Sequence, residues 1–312
     1  MSGRIIVVGS LNMDFVVSVE RLPAPGETVL GGGFQMIPGG KGANQAVAVG
    51  KLAGPGTDTR MVGRVGQDVF ADHLKASLVS GGVDAGAVLA TQDQPTGVAL
   101  IWVDKQGQNS IVVASGANHS LAAADVDAMR PLFSGSRFVL FQLETPLDTV
   151  IRALALAREQ GAQTILDPAP AQPLSEELLA QVDVLTPNET EASLFLGLPP
   201  GRVSLSEAPS LARRLRERGP RCVVLKLGDQ GCFYCSGEAE MASASFPVEA
   251  RDTTAAGDIF NAALAVALAE DRPIADALRF ANAAAAISVT RTGAQASVPT
   301  RSEVDAFLAS SR

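Results

Sequence analysis

Histidine and cysteine are scarce in this chain, positive charge is in deficit, and no apolar run reaches membrane-spanning length. The only histidines are His73 and His119, and there are three cysteines. Cys232 and Cys235 have CxxC spacing, but no second CxxC or histidine cluster completes a zinc site. The residues around them alternate as in a strand, where positions i and i+3 point to opposite faces. The pair is therefore read as two reduced structural thiols, not a redox centre. Lysine and arginine number 25 against 33 acidic residues, a formal charge of -8. That balance argues against general binding to nucleic acid or a membrane surface, but leaves room for a local basic pocket. The alanine-rich runs near Leu264 and Ala283 are broken by polar residues before they could span a bilayer. Residues 1–14 lack the pattern of a secretory leader, so the cytoplasm is the expected location.

Against these absences stands a globular composition: 312 residues, 46% hydrophobic and 19% charged. The length suits one large α/β domain, with or without an appendage. Residues 4–9 (Ile-Ile-Val-Val ending in Gly9) predict a buried parallel strand. Residues 16–20, 27–36, 96–103 and 110–114 predict further strands, with a hairpin turn at Asp104-Lys105-Gln106-Gly107. After about residue 120, helical patterns alternate with short apolar strands at 138–142, 164–167, 182–186 and 222–227. That rhythm predicts a doubly wound, mostly parallel sheet flanked by helices, whose strand ends bind ligands. The early strands, at about 15–37 and 96–115, predict a small β-sheet lid on a single domain spanning residues 1–312. Such a sheet is too small to stand alone, and its exposed edges predict a homodimer formed through the lids.

Three motifs carry chemistry. The first, Asp252-Thr253-Thr254-Ala255-Ala256-Gly257-Asp258, leads into an apolar helical run at 259–268. The first N–H groups of such a helix lack partners and face positive potential, so an anion can rest on Ala255, Ala256 and Gly257. Asp258 then sits in the first turn, placed to take a proton from a hydroxyl while a phosphoryl group is transferred. An ordinary Asp at a helix start reads the same way. The second motif, Gly39-Gly40-Lys41-Gly42-Ala43-Asn44-Gln45, is neither a Walker A loop nor a dinucleotide fingerprint: Gln35 and Gln45 stand where glycines are needed. It is a glycine-rich turn entering a helix at 46–52. With Asn12 and Asp14 it offers donors and acceptors for sugar hydroxyls. Glu144, after Gln142, brings another carboxylate to the same rim. In the third, Thr186-Pro187-Asn188-Glu189-Thr190-Glu191, Asn188 and Glu191 share a helix face. They suit either a water-clad Mg²⁺ or a capping box.

The segments GGKGANQA, TPNETEA and DTTAAGDIFNAAL resemble the signature regions of the ribokinase-like carbohydrate kinases. GSLNMD, PAPGET, TGVAL, SGAN, QLETP, DPAPA and TRTGAQASVP extend the resemblance in order over residues 5–308. It implies a kinase passing the γ-phosphoryl group of ATP to the primary hydroxyl of D-ribose, or a sibling acting on deoxyribose, another sugar or a nucleoside. A sugar-binding regulator without catalysis is the reading from another class. Carried over by position, Asp258 is the base, and Ala255, Ala256 and Gly257 form the anion hole. Asn12, Asp14, Gly40, Lys41, Gly42, Asn44 and Glu144 are the sugar site. Asn188, Lys226, Gly228, Gly231, Gly257 and Asn282 are the nucleotide contacts, with Glu191 near Mg²⁺. Asp252, Thr254, Ser288, Arg291, Gly293 and Ser297 match a loop for a monovalent cation, K⁺, several through backbone carbonyls. Two departures stand out: Lys226 where Thr is common, and Asp167 where some relatives have Asn.

Overall fold

Ile5, Ile6, Val7 and Val8 are all fully buried, and they face two different cores. A strand sends successive side chains to opposite faces, so this unbroken apolar run needs cover on both sides. Each such side chain contributes about 1.5–3 kcal/mol on burial. The computed structural model describes residues 3–106 and 108–311. Its strands are β1 (Arg4–Val8), β2 (Asn12–Ser18), β3 (Phe34–Gly39), β4 (Thr59–Gly66), β5 (Asp84–Thr91), β6 (Gly97–Val103), β7 (Asn109–Ala114), β8 (Ser136–Phe141), β9 (Gln163–Leu166), β10 (Val184–Leu185), β11 (Cys222–Lys226), β12 (Cys232–Cys235) and β13 (Glu240–Ser243). The main sheet has the order β13-β12-β11-β10-β9-β8-β1-β4-β5. It is parallel from β5 to β11, with β12 and β13 antiparallel at one edge.

Helices Lys41–Leu52, Val69–Ser80, Ala256–Ala269, Ile274–Val289 and Arg301–Ser310 cover one face. Leu147–Glu159 and Ala208–Glu217 are among those covering the other. The expected doubly wound sheet is thus the architecture found. Helices Lys41–Leu52 and Ala256–Ala269 pack together at the centre of their layer. Their buried alanines, Ala43, Ala46 and Ala48 with Ala262, Ala263 and Ala265, keep the side chains there short. The Lys41 helix also lies directly on the end of β1. A Cβ added at Gly42 would sit 2.6 Å from the Gly9 carbonyl carbon and 2.6 Å from the Ser10 nitrogen. That close approach fixes where the helix begins.

A second, four-stranded sheet, β3-β2-β6-β7, is built from the early strands expected to form the lid, and is called the lid sheet. Several boundaries differ from the sequence reading. The strand expected at 27–36 is instead Phe34–Gly39, because Gly31 to Gly33 fold back on Ser18. Gly32 N–H donates to the Ser18 carbonyl at 2.7 Å, and Leu30 is left 92% exposed. The strand expected at 16–20 starts earlier, at Asn12, so Asn12 and Asp14 belong to the lid strand itself. β2 pairs parallel with β6, so the lid is not a plain run of hairpins. The helix expected at 46–52 starts at Lys41, where Gly40 turns the chain with φ 87°. β4, β5 and β13 were not expected. The turn expected at Asp104–Gly107 includes Gly107, which lies outside the described residues.

β12 settles the CxxC question. Cys232 faces one core and Cys235 the other, and all three cysteines are free.

The contact at Gly42 makes a stability prediction. Gly42→Ala must push the helix off β1, an overpacking cost of about 1–3 kcal/mol. The expected outcome is a Tm lowered by roughly 2–5 °C in a thermal melt. Gly33→Ala, with open space around the added methyl, should leave Tm unchanged.

Candidate active site

The carboxyl-terminal ends of the parallel strands, where open α/β sheets bind ligands, carry the polar side chains. Ser10 and Asn12 follow β1, Gln142 and Glu144 follow β8, Asp167 follows β9, Asn188 follows β10, and Lys226 ends β11. The amino-terminal ends of the two central helices meet them there. A cavity of about 710 Å³ opens between this rim and the lid. It is lined by Asn12, Asp14, Gly40, Lys41, Asn44, Glu144, Ala255 and Asp258, with lid residues such as Val16 and Ile37 above. Two other cavities, of about 530 and 460 Å³, lie at the opposite strand ends and are not surrounded by such a set.

Asp258 is buried in the first turn of its helix. Asn44 Nδ2 donates to its Oδ2 at 3.1 Å, and Gln45 Nε2 donates to its Oδ1 at 3.1 Å. Burial pushes the carboxyl up to about 6, and the charge of Asp167 adds to this; Lys41, Gln45 and Asn44 pull the other way. The result is a carboxylate at neutral pH that is more basic than an ordinary Asp. Ala255 caps the helix in the left-handed conformation, φ 59°, which costs an alanine about 1–2 kcal/mol. Such strain is characteristic of functional turns. The Ala256 N–H bends back to the Thr253 carbonyl at 3.2 Å. Among the described residues, none accepts from the N–H groups of Gly257 and Asp258. Ala255 N–H has no acceptor there either, so of the three expected donors only Ala256 is engaged, and the others with Asp258 are left for an anion.

The sugar-side residues converge around the same carboxylate. Asn118 pins the start of β2, donating to Asn12 Oδ1 at 2.8 Å and bonding both backbone groups of Leu11. Glu144 caps the Lys41 helix: its Oε2 accepts from Ser10 Oγ at 2.5 Å and from Lys41 N–H at 3.2 Å. Burial disfavours the Lys41 ammonium, but Asp258, Glu144, Asp167 and Glu191 outweigh it and hold its pKa above the ordinary value. Asp14 is pushed up to about 7, by burial first and then by Glu144 and Asp258, with Lys41 opposing.

The residues expected to contact the nucleotide do not line this cavity: Asn188, Lys226, Gly228 and Gly231 lie at the next strand ends, Gly257 in the first turn of the Asp258 helix and Asn282 within helix Ile274–Val289. Asn188 and Glu191 form the capping box. Asn188 Oδ1 accepts from Glu191 N–H at 2.8 Å, while Asn188 N and Nδ2 donate to the two Glu191 oxygens at 2.7 and 2.9 Å. Burial raises the Glu191 carboxyl against the pull of Lys226. Lys226 Nζ pairs with Asp167 Oδ1 at 3.1 Å. Gly228 and Gly231 have φ 57° and 95°, and the Gly231 backbone packs on the Ser243 carbonyl. Asn282 Nδ2 donates to the Ser243 and Ala244 carbonyls at 3.1 and 3.2 Å, so it secures the end of β13.

Asp252 joins two loops, its oxygens accepting from Thr254 N–H at 2.9 Å and Gly293 N–H at 2.8 Å. The Ser288 and Ser297 hydroxyls donate to the Ala285 and Ala294 carbonyls, and Arg291 pairs with Glu303. For a cation this leaves backbone carbonyls rather than those side chains.

Sequence reasoning missed Gln45 as a site residue. Its Nε2 bridges Asp258 and Asp167, and its Oε1 accepts from Gln142 Nε2 at 2.6 Å. The signal was present: Lys41, Asn44 and Gln45 share one helix face at i, i+3 and i+4. Asn118 and Asp167 lie in the segments SGAN and DPAPA, but nothing local showed their contacts, because distant segments supply their partners.

The raised Asp14 carboxyl has a consequence for folding. A carboxyl with a raised native pKa binds more protons folded than unfolded, so its charge destabilises the fold once ionised. Stability is lost as pH rises from about 4 to about 7. Asp14→Asn is therefore expected to be more stable than the unaltered protein at about pH 8, by roughly 2–4 kcal/mol. The advantage should narrow towards about pH 5 in calorimetric melts. A gap independent of pH would contradict this assignment.

Comparison with known proteins places this geometry. A family model described as pfkB family carbohydrate kinase matches residues 2–301. The ribokinase of Haemophilus influenzae is 41% identical over 308 residues, covering 99% of each chain. The solved ribokinase of Thermotoga maritima superposes with a TM-score of 0.88 at 40% identity, over 98% of this chain and 99% of that one. The ribokinase of Arabidopsis thaliana, solved with ribose and ATP, gives a TM-score of 0.88 at 34% identity, over 99% of each chain. The fold, the rim of polar strand ends and these matches agree: the chain belongs to the pfkB family of carbohydrate kinases.

Proposed function

We propose that this protein is an ATP-dependent ribokinase that phosphorylates D-ribose at its primary hydroxyl to give D-ribose 5-phosphate. One observation carries the reading. A buried, basic carboxylate, Asp258, faces a hydroxyl-binding cavity at the same helix end that offers free N–H donors. Asn12, Asp14, Lys41, Asn44 and Glu144 suit a small ligand rich in hydroxyls. Asn44 and Gln45 hold both oxygens of Asp258, so the base is aimed before substrate arrives. Asp258 takes the hydroxyl proton as the oxygen attacks the terminal phosphorus, whose bond to the β-phosphate oxygen breaks and releases ADP. The N–H groups of Gly257 and Asp258, at the positive end of the helix, stabilise the charge gathering there.

The donor set also fits the ions such a reaction uses. Among the described residues no group of three or more acidic, His or Cys side chains gathers as a metal cage. Glu191 is a single buried carboxylate already engaged by Asn188, which suits contact through water with Mg²⁺ carried on nucleotide phosphates. Held near Glu191, Mg²⁺ would supply positive charge against the phosphate oxygens. K⁺ would be held by the backbone carbonyls of the 252–254 and 288–297 loops, which Asp252 ties together. The lid turns Phe34, Met36, Leu100 and Val112 to solvent, which supports a homodimer through the lids. No described helix is long and apolar enough to cross a membrane, and we place the enzyme in the cytoplasm.

A kinase assay over pentoses, hexoses and nucleosides with ATP and Mg²⁺ tests the reading. D-Ribose should give a higher kcat/KM than 2-deoxyribose, because a missing hydroxyl leaves buried acceptors unpaired. Asp258→Asn should lower kcat by on the order of 10²–10⁴ while sugar binding survives. Preference for another sugar would overturn the substrate, and near-normal turnover of the Asn variant would overturn the base.

The cation loop makes a separate prediction. K⁺ should raise turnover several-fold over buffers free of monovalent activators, and Asp252→Ala should blunt that response while ribose affinity stays within about twofold. Full activity without K⁺ would leave Asp252 as a turn cap only.

A further inference from the structure

Lys226 is expected among the nucleotide contacts, but it stands where Thr is common, and the proposed reaction gives its ammonium no stated partner on the nucleotide. Its side chain is 13% exposed and its partner Asp167 4% exposed, so the ion pair is largely out of water. Burying such a pair carries a desolvation cost that a purely structural role does not need. Its placement points to a use. A Cβ added at Gly257 would lie 3.3 Å from Lys226 Nζ, so the ammonium rests against the helix end whose N–H groups are free. An ammonium has three donors, and among the described residues only Asp167 Oδ1 accepts from this one. Asp167 in turn is fixed from the other side. Its Oδ2 accepts from Gln45 Nε2 at 3.2 Å, and the same amide nitrogen holds Asp258. The phosphate side and the base side of the site are thus joined through one amide and one carboxylate.

We propose that Lys226 binds the terminal phosphoryl group of the nucleotide: Asp167 anchors the ammonium beside Gly257, and its two remaining N–H donors take phosphoryl oxygens. The inference rests on the reading of the site as an ATP-dependent kinase. It makes Lys226 a substrate-binding residue and Asp167 a positioning residue that acts through it. A compact ammonium with free donors, next to unpaired backbone N–H groups, is a strong match for a dianionic end group with three free oxygens. The contact falls on the phosphoryl group that leaves with the sugar, so it separates ATP from ADP.

Calorimetric titration with Mg·ATP and Mg·ADP, without sugar, tests this independently of turnover. Lys226→Thr should weaken ATP by about tenfold or more, and ADP by no more than about twofold. Lys226→Arg should keep most of the ATP preference. Removing the ammonium alone strands the Asp167 carboxylate beside Asp258, so the double variant Lys226→Thr/Asp167→Asn serves as the control. It should recover any lost thermal stability and ADP affinity while ATP stays weak. Equal effects on ATP and ADP, no effect on either, or recovery of ATP affinity in the double variant would each overturn the assignment. If the unaltered protein binds neither nucleotide, the kinase reading falls with it. If it binds both, and the Lys226→Thr variant keeps the same preference for ATP, only the Lys226 role falls.

Discussion

The site depends on backbone meeting backbone where the Lys41 helix crosses the end of β1. Gly9 and Gly42 have no side chains to hold the two segments apart. Everything polar in the centre of the rim follows from that approach. Lys41 N–H falls on Glu144, and one turn further along Asn44 and Gln45 fall on Asp258. The alanines between the two central helices work to the same end, holding the Asp258 helix close enough for short amides to reach it. Glycine and alanine are here the means by which long-range geometry is fixed. The Asp258 carboxylate is aimed by packing and not by a local loop.

The same compactness concentrates charge. Asp14, Glu144, Asp167, Glu191 and Asp258 gather around only two ammonium groups, Lys41 and Lys226. A site that must receive polyphosphate would repel it if all five carboxylates were free. Several are spent inside the protein instead: Glu144 caps a helix, Glu191 completes a capping box, and Asp167 holds Lys226. Asp14 and Asp258 remain, and burial raises the pKa of both. In the proposed reaction they are the two carboxylates left free to act on hydroxyls. The arrangement carries a stability cost in the resting protein, which is the usual signature of a site built for chemistry.

The sequence made some of this legible and hid the rest for physical reasons. β1 was plain because four consecutive apolar residues demand cover on two faces. Asp258 in a first turn was plain because small residues preceded an apolar helical run. β4 and β5 were hidden: Thr59–Gly66 is broken by two arginines and two glycines, and Asp84–Thr91 is rich in alanine, so neither alternates cleanly. The glycines at 31–33 read as part of a strand but served to release one. At the site, residues in signature segments could be named, while their partners could not. Asn118 meets Asn12 across 106 positions, and Gln45 meets Asp258 across 213. No local pattern encodes such pairs; they exist only once the sheet has ordered its strands.

The placement of the thiols has a bearing on how the enzyme meets its surroundings. Cys232 and Cys235 sit on opposite faces of the sheet, and Cys222 lies buried on the neighbouring strand. Burial pushes the thiols of Cys222 and Cys232 up to about 12, so neither is a nucleophile in the folded protein. Oxidants therefore have no exposed thiolate to capture and no adjacent pair to bridge. Sulfur chemistry at Cys232 and Cys235, both fully buried, is a readout of opening: a thiol reagent can mark them only when the antiparallel edge of the sheet comes apart, which makes this pair internal timers of local unfolding.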